Sequence, residues 1–177
     1  MFKYSYNKEV FLNEDDISYY LLGLYITDGN LHNGAVSLLS IDNEIIEKIR
    51  DLICPEKTIY SVKSYPKAKR FRIHNKEIYN WFIKHGCVPN KTKIVEFPNI
   101  PQKYISHFMR GLIDGDGSIG FYKNSRSFVR FDSASLSLIT GFLNQCDLWG
   151  IKAKIVQTPW IETVIRGKKT ASTTQMY

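Results

Sequence analysis

Leu21-Leu22-Gly23-Leu24-Tyr25-Ile26-Thr27-Asp28-Gly29 aligns position by position with Met109-Arg110-Gly111-Leu112-Ile113-Asp114-Gly115-Asp116-Gly117. Both stretches have Gly third, Leu fourth, Asp eighth and Gly ninth. Each reads as an apolar helix running into an Asp-Gly stop. A glycine inside a helix costs roughly 1 kcal/mol relative to alanine. Its recurrence at Gly23 and Gly111 implies that two helix backbones approach closely there. Side-by-side packing would bring the two C-terminal ends together and make Asp28 and Asp116 neighbours. Carboxylates gathered at helix C-termini repel each other and the local dipole, so the arrangement calls for cations. Divalent ions with oxygen ligands answer that, and two of them about 3.5–4 Å apart can serve both oxygens of a phosphodiester displacement. For either motif alone, a simple turn would be the plainer reading.

The surrounding sequence repeats as well. The first unit opens with Asp15 or Asp16 as a helix cap, then the apolar run, then strand-like Ala35–Leu39. Asp42 caps a helix with Ile45, Ile46, Ile49, Leu52 and Ile53 at helical spacing. Strand-like Thr58–Lys63, a turn at Pro66-Lys67 and alternating Arg70-Phe71-Arg72-Ile73-His74 follow. A third helix over Lys76–Lys84 ends at Gly86. In the second unit, helix Tyr104–Asp114 ends at Gly115-Asp116-Gly117. Strands at Ser118–Tyr122 and Ser127–Phe131, a helix capped by Ser135 and stopped by Gly150, and strand Lys152–Gln157 complete it. Ser40 lies 12 residues past its aspartate and Ser133 17 past its own, so the second hairpin is about five residues longer. The fold class is therefore α+β: two pseudo-symmetric α-β-β-α-β-β repeats, with antiparallel sheets forming a saddle and helices on the outer face. The division is 1–98 for the first repeat and linker and 99–177 for the second, in one compact domain. The offset that begins the third helix in the first repeat falls on Thr163–Lys169 in the second. That stretch is not amphipathic, so the second repeat is expected to lack its final helix.

The chain has 177 residues and a net charge of +7, from 24 Lys and Arg against 17 Asp and Glu. Residues 56–76 hold seven basic residues against one acid, and residues 117–177 hold eight against three. Basic stretches in strand-like sequence point to a polyanion partner. No apolar run approaches the ~18 residues of a membrane span, and no secretion signal opens the chain. Cys54, Cys87 and Cys146 fit neither a disulfide framework nor a zinc site. The expected setting is intracellular, a cytoplasm, nucleoid or organelle matrix, rather than secreted.

These residues resemble the LAGLIDADG homing endonucleases in their single-chain, two-motif form. The resemblance extends through the linker Gly86-Cys87-Val88-Pro89-Asn90-Lys91-Thr92 and Phe97-Pro98 into the second motif, the cleaner match. In the first motif Ile26 replaces the first acid and Thr27 precedes the eighth position. The resemblance implies that Asp28 and Asp116 are catalytic metal ligands, with the backbone carbonyls of Thr27 and Gly115 adding coordination. The implied ion is Mg²⁺, with Mn²⁺ as a substitute. It implies a site-specific endonuclease that hydrolyses both strands of a long pseudo-palindromic duplex DNA. The sheets would sit over the major groove, reading bases with strand side chains while phosphate contacts supply affinity.

Candidate DNA contacts are Asn30, His32, Asn33 and Ser37 in the first hairpin, then Lys63, Lys67, Lys69, Arg70, Arg72, His74, Arg126, Arg130, Lys152 and Lys154 on strands. Ser40 and Ser133, with Lys63, are candidates for the polar pocket that the family builds around its reacting water. Asp114-Gly115-Asp116-Gly117 is not a calcium loop, because its twelfth position is Ser125 rather than Glu. Two halves in one chain favour a monomer with unequal half-sites. The competing readings are a non-cutting nucleic-acid binder on the same fold, such as an intron maturase or a regulator, and an intein's endonuclease domain. Paired acids favour cutting, since binding does not need them.

Overall fold

A computed structural model describes residues 4–121, 127–157, 163–165, 168–170 and 174–176. A short helix α1 (Glu9–Leu12), absent from the sequence reading, precedes the first motif helix α2 (Asp16–Thr27). Asp15 opens α2 with a reciprocal capping box. Its carboxylate accepts from the Ser18 amide at 2.9 Å, and the Ser18 hydroxyl accepts from the Asp15 amide at 3.1 Å. Tyr19, Leu21, Leu22, Leu24, Tyr25 and Ile26 are all buried, so α2 is enclosed nearly all round. It forms the centre of the molecule.

The first repeat continues with β1 (Gly29–His32), β2 (Ala35–Ser40), α3 (Asn43–Ile53), β3 (Tyr60–Val62), β4 (Tyr65–His74) and α4 (Lys76–Lys84). Asn33 and Gly34 both take positive φ, 48° and 73°, as a tight two-residue hairpin requires. Asp42 and Asn75 cap α3 and α4 through backbone amides. The antiparallel sheet runs β1-β2-β4-β3. Its turn between β3 and β4 falls at Lys63-Ser64, not at the expected Pro66-Lys67. Pro66 is tolerated inside β4 because β2 stops pairing at Lys69, leaving its missing N–H on an unpaired side.

The second motif helix is α5 (Ile105–Asp116), followed by β5 (Gly117–Phe121), β6 (Ser127–Ser133), α6 (Leu136–Leu148) and β7 (Ile155–Gln157). Strands β8 (Thr163–Ile165), β9 (Lys168–Thr170) and β10 (Thr174–Met176) complete the described residues. The second sheet runs β5-β6-β10-β7, so β10 takes the place that β4 has in the first. Thr163–Ile165 and Lys168–Thr170 pair as a two-stranded ribbon. The segment that offers no amphipathic helix is thus strand in its described part. Lys152 and Lys154 precede β7 instead of lying on it.

Helices α2 and α5 cross at the paired glycines. A methyl at Gly23 would collide with the Phe108 carbonyl and sit 2.9 Å from the Leu112 nitrogen. A methyl at Gly111 would collide with the Tyr20 carbonyl and sit 2.8 Å from the Leu24 nitrogen. The contact is reciprocal, as a twofold relation between the repeats demands. One turn on, a methyl at Gly115 would strike the Thr27 side chain. Tyr20 adds a hydrogen bond from its hydroxyl to Asp114 Oδ2 at 3.0 Å, with Arg110 stacked over its ring.

The two sheets differ in how well their inner faces are covered. Leu31 pairs with Val36 in the first hairpin, and both are buried. Ile119 and Val129 hold the same register in the second hairpin and are 70% and 53% exposed. In the first repeat α3 and α4 pack against β2. No counterpart of α4 occurs among the described residues of the second. No helix in the described residues is long and apolar enough to cross a membrane.

Candidate functional site

Asp28 is the residue that closes α2, its amide donating to the Leu24 carbonyl at 3.0 Å. Asp116 is the last residue of α5. Since the glycine crossing sets the two helices side by side, both acids lie at adjoining C-terminal ends. Burial, then the nearby Asp116 charge, pushes the Asp28 carboxyl from its ordinary 3.8 to about 7, against the opposing pull of Lys91. Burial also raises Asp116; Lys91 opposes this and Asp132 adds to it. Both carboxyls are therefore held above their ordinary range, as expected for acids in a poorly solvated place.

One cation faces both. Lys91 is 9% exposed and donates a hydrogen bond from Nζ to the Gly29 carbonyl, one residue beyond Asp28. Burial lowers its pKa, while Cys87, Asp116 and Asp28 hold the proton on. It sits in a 3-10 turn, Lys91–Lys93, entered through left-handed Asn90 at φ 55°. Lys91 does not stand out in the linker sequence, because a lysine is solvated by default. The available signal was its setting: it directly follows an αL-tolerant Asn in a segment that also supplies Cys87 and Val95 to the core.

Asp28, Thr27, Asn30, His32, Ser37, Arg70, Arg72 and Lys91 line one groove of about 470 Å³. Five of the expected DNA contacts thus share a groove with two of the four residues expected to coordinate metal. The alternation in β4 explains it: Phe71 and Ile73 are fully buried, which turns Arg70, Arg72 and His74 to the open face. An adjoining depression of about 440 Å³ holds Lys57, Lys63 and His74 beside the same two arginines. Burial, with Arg72 and Lys57 next, holds His74 below its ordinary pKa. Lys63 lies in this second depression, away from Asp28, so the lysine beside the acids is Lys91.

Other candidates are placed elsewhere. Asn33 forms the exposed hairpin turn, and Lys67 is exposed on the part of β4 that outruns β2. Lys69 turns toward α3, lining a separate depression with Glu47 and Arg50 and donating to Ser61 Oγ at 3.0 Å. Arg130 lies beside Asp132, Nε to Oδ2 at 3.0 Å. Lys152 and Lys154 are exposed. Arg126 lies outside the described residues. Ser40 and Ser133 play matching local roles: each hydroxyl accepts, at 3.1 Å, from the amide two residues on, Asp42 or Ser135. They order the entries to α3 and α6. Asp132, also missed in the sequence, is half-buried on β6 and bears on Asp116. Among the described residues no group of three or more His, Cys, Asp or Glu side chains converges as a metal cage. A cation here would rest on two carboxylates, helix-end carbonyls and oxygens from a ligand.

Residues 103–173 match the family described as a LAGLIDADG-like domain. The matched stretch takes in the second motif, with Asp116, and most of the second repeat. The structure has the fold of the homing endonuclease I-DmoI. A structure of mesophilic I-DmoI variants aligns with a TM-score of 0.58 and 16% identity over 93% of this chain and 88% of that one. I-DmoI in complex with DNA and Ca aligns at 0.54 and 16% identity, covering 93% and 83%. The complex with DNA and Mn gives 0.55 and 15%, covering 93% and 89%. A relative in sequence is the DNA-directed RNA polymerase subunit Rpo1C of Methanocaldococcus jannaschii, 26% identical over 143 residues. That match takes in 76% of this chain and spans 16% of the relative.

Proposed function

We propose that this protein is a site-specific, divalent-metal-dependent DNA endonuclease that binds duplex DNA as a monomer. The observation carrying this is the pairing of Asp28 and Asp116 at adjoining helix ends, in partial burial, with Lys91 directed at both. Binding alone would not require that costly charge arrangement. The donor set fits a hard cation: burial raises both carboxyls, the Asp116 charge adds to this at Asp28 and the Asp132 charge at Asp116, and an added positive charge relieves that. Asp28 and Asp116 would hold it, aided by the carbonyls of Thr27 and Gly115 in last turns where helix carbonyls run out of intrahelical donors. Mg²⁺ is the natural ion and Mn²⁺ a substitute; I-DmoI, a protein of the same fold, has been seen with DNA and Mn and with DNA and Ca. When bound, the cation supplies charge neutralisation and Lewis-acid polarisation of the scissile phosphate.

The chain's own residues do the rest. Lys91, whose charged form the two acids favour against its burial, would donate toward the phosphate as negative charge builds on it. Arg70, Arg72, Lys57 and Lys63 hold the phosphate backbone and base edges along the open face of the first sheet. The groove leads from those arginines to Asp28, so a bound strand passes from recognition to chemistry without a break. The test is to incubate the protein with a library of long randomised duplexes and Mg²⁺ and sequence any cut ends. A defined cut within one recurring duplex is expected, and Asp28→Asn and Asp116→Asn should each abolish double-strand cutting while sparing most binding. Tight binding of a specific duplex with no cutting in Mg²⁺ or Mn²⁺ would leave a binder of the maturase or regulator kind.

A further inference from the structure

The open faces of the two sheets can be compared row by row, because Gly29 and Gly117 each follow a motif aspartate. In the first hairpin Asn30 pairs with Ser37 and His32 with Ala35. Strand β4 extends these rows with Arg72 and His74. In the second hairpin Ser118 pairs with Arg130 and Gly120 with Phe128. The first sheet thus offers polar and cationic groups in both rows. The described rows of the second hairpin offer a serine, an arginine already engaged with Asp132 and, in the next row, a phenyl ring.

That ring is on the open side. Phe131, three residues on and opposite in parity, is fully buried and stacked on Phe142 with ring centroids 4.8 Å apart. Phe128 is therefore turned away from the core, and it is half-buried. It lies across Gly120, where an added Cβ would come within 2.8 Å of the ring. The glycine lets the phenyl group lie flat along the strand. The first sheet has no aromatic group at the equivalent Ala35.

We propose that Phe128 is a specificity-determining residue that reads thymine in the half-site under the second sheet, by packing against its C5-methyl group. The idea rests on the DNA-binding function proposed above. In the major groove the thymine methyl is the one apolar feature, and every other base edge would be desolvated by a phenyl ring without a partner. In the described rows of the second hairpin, Arg130 is already held by Asp132. The first half, with Arg70 and Arg72 making no ion pair among the described residues, reads by hydrogen bonding instead. The two half-sites are thus recognised by different chemistry.

The test uses the full chain and duplexes selected by binding, without Mg²⁺, from a randomised library. Arg72→Ala marks the first half-site as the one that loses base preference. The selected duplex is then remade with deoxyuridine for thymidine in one half at a time, which removes only the methyl groups. The expected result is about fourfold weaker binding when the second half loses its methyl groups, the ordinary worth of the one methyl that the ring covers, and less than twofold change in the first. Phe128→Ala should erase the difference between thymidine and deoxyuridine in the second half. Equal or absent uridine effects in the two halves of the parent's duplex would overturn the proposal, with no variant required, and would assign Phe128 to shielding the backbone at Gly120. If no duplex is enriched at all, the DNA-binding function itself fails.

Discussion

Replacing Asp28 by Asn should stabilise the metal-free protein at pH 8. The carboxyl is raised from 3.8 to about 7 by burial and by Asp116, so the folded state binds a proton that the unfolded state releases. A raised pKa means the group's favourable contribution is complete below about pH 4. It is lost as pH climbs to 7 and stays lost above that. Each pKa unit is worth about 1.4 kcal/mol, which for a fully buried group would total roughly 4 kcal/mol. Asp28 is only half-buried, and solvent screening reduces this to about 1–2 kcal/mol. For a chain of this size that is a rise of roughly 3–6 °C in Tm. The assay is thermal melting of parent and variant in EDTA from pH 4 to 8.5. The two curves should coincide near pH 4, separate between 4 and 7, and run parallel above. Millimolar Mg²⁺ at pH 8 should raise the parent's Tm and leave the variant's nearly unchanged. A variant less stable than the parent at every pH, or identical to it at pH 8 in EDTA, would refute the strained pair.

Gly23→Ala and Gly111→Ala should each destabilise by more than about 2 kcal/mol in denaturant unfolding, although an ordinary helix would gain about 1 kcal/mol from the same change. The added methyl meets backbone, which cannot give way. Lys91→Met should lower cutting at least about 100-fold while changing duplex affinity less than about threefold, measured by single-turnover cleavage beside a gel shift. Val36→Thr should cost about 1–3 kcal/mol, whereas Val129→Thr, in the equivalent but exposed position, should stay within about 0.5 kcal/mol in the same unfolding assay.

Much of this was legible in the residues because the deciding contacts are local or repeated. Helix α4 spans Lys76–Lys84 as its spacing and Asn75 cap require. The glycine pair announced its crossing because two copies of an unfavourable residue share one cause. The open face of β4 followed from strict alternation at Phe71 and Ile73. What stayed hidden depends on long-range placement. Lys91 reaches the acids from a linker more than sixty residues past Asp28, and no periodicity marks it. The helix-entry contacts of Ser40 and Ser133 were hidden too, because a hydroxyl that accepts from an amide two residues on has no mark of its own in sequence. Lys152 and Lys154 were expected on a strand that begins only at Ile155, since basic and apolar alternation started before the pairing did. The place of β10 between β6 and β7 could not be read at all, because strand order depends on partners and not on pattern.

The central claim is that Asp28 and Asp116 share one metal-dependent cutting site. Its most direct measurement follows a supercoiled plasmid carrying the selected duplex as it is cut in Mg²⁺ by the parent, Asp28→Asn and Asp116→Asn. The parent should give linear plasmid broken at one position, and each variant should bind the duplex within a few-fold of the parent yet yield no linear product. Linear product from either variant at the parent's rate, or a parent that binds and leaves the plasmid closed in both Mg²⁺ and Mn²⁺, would contradict it.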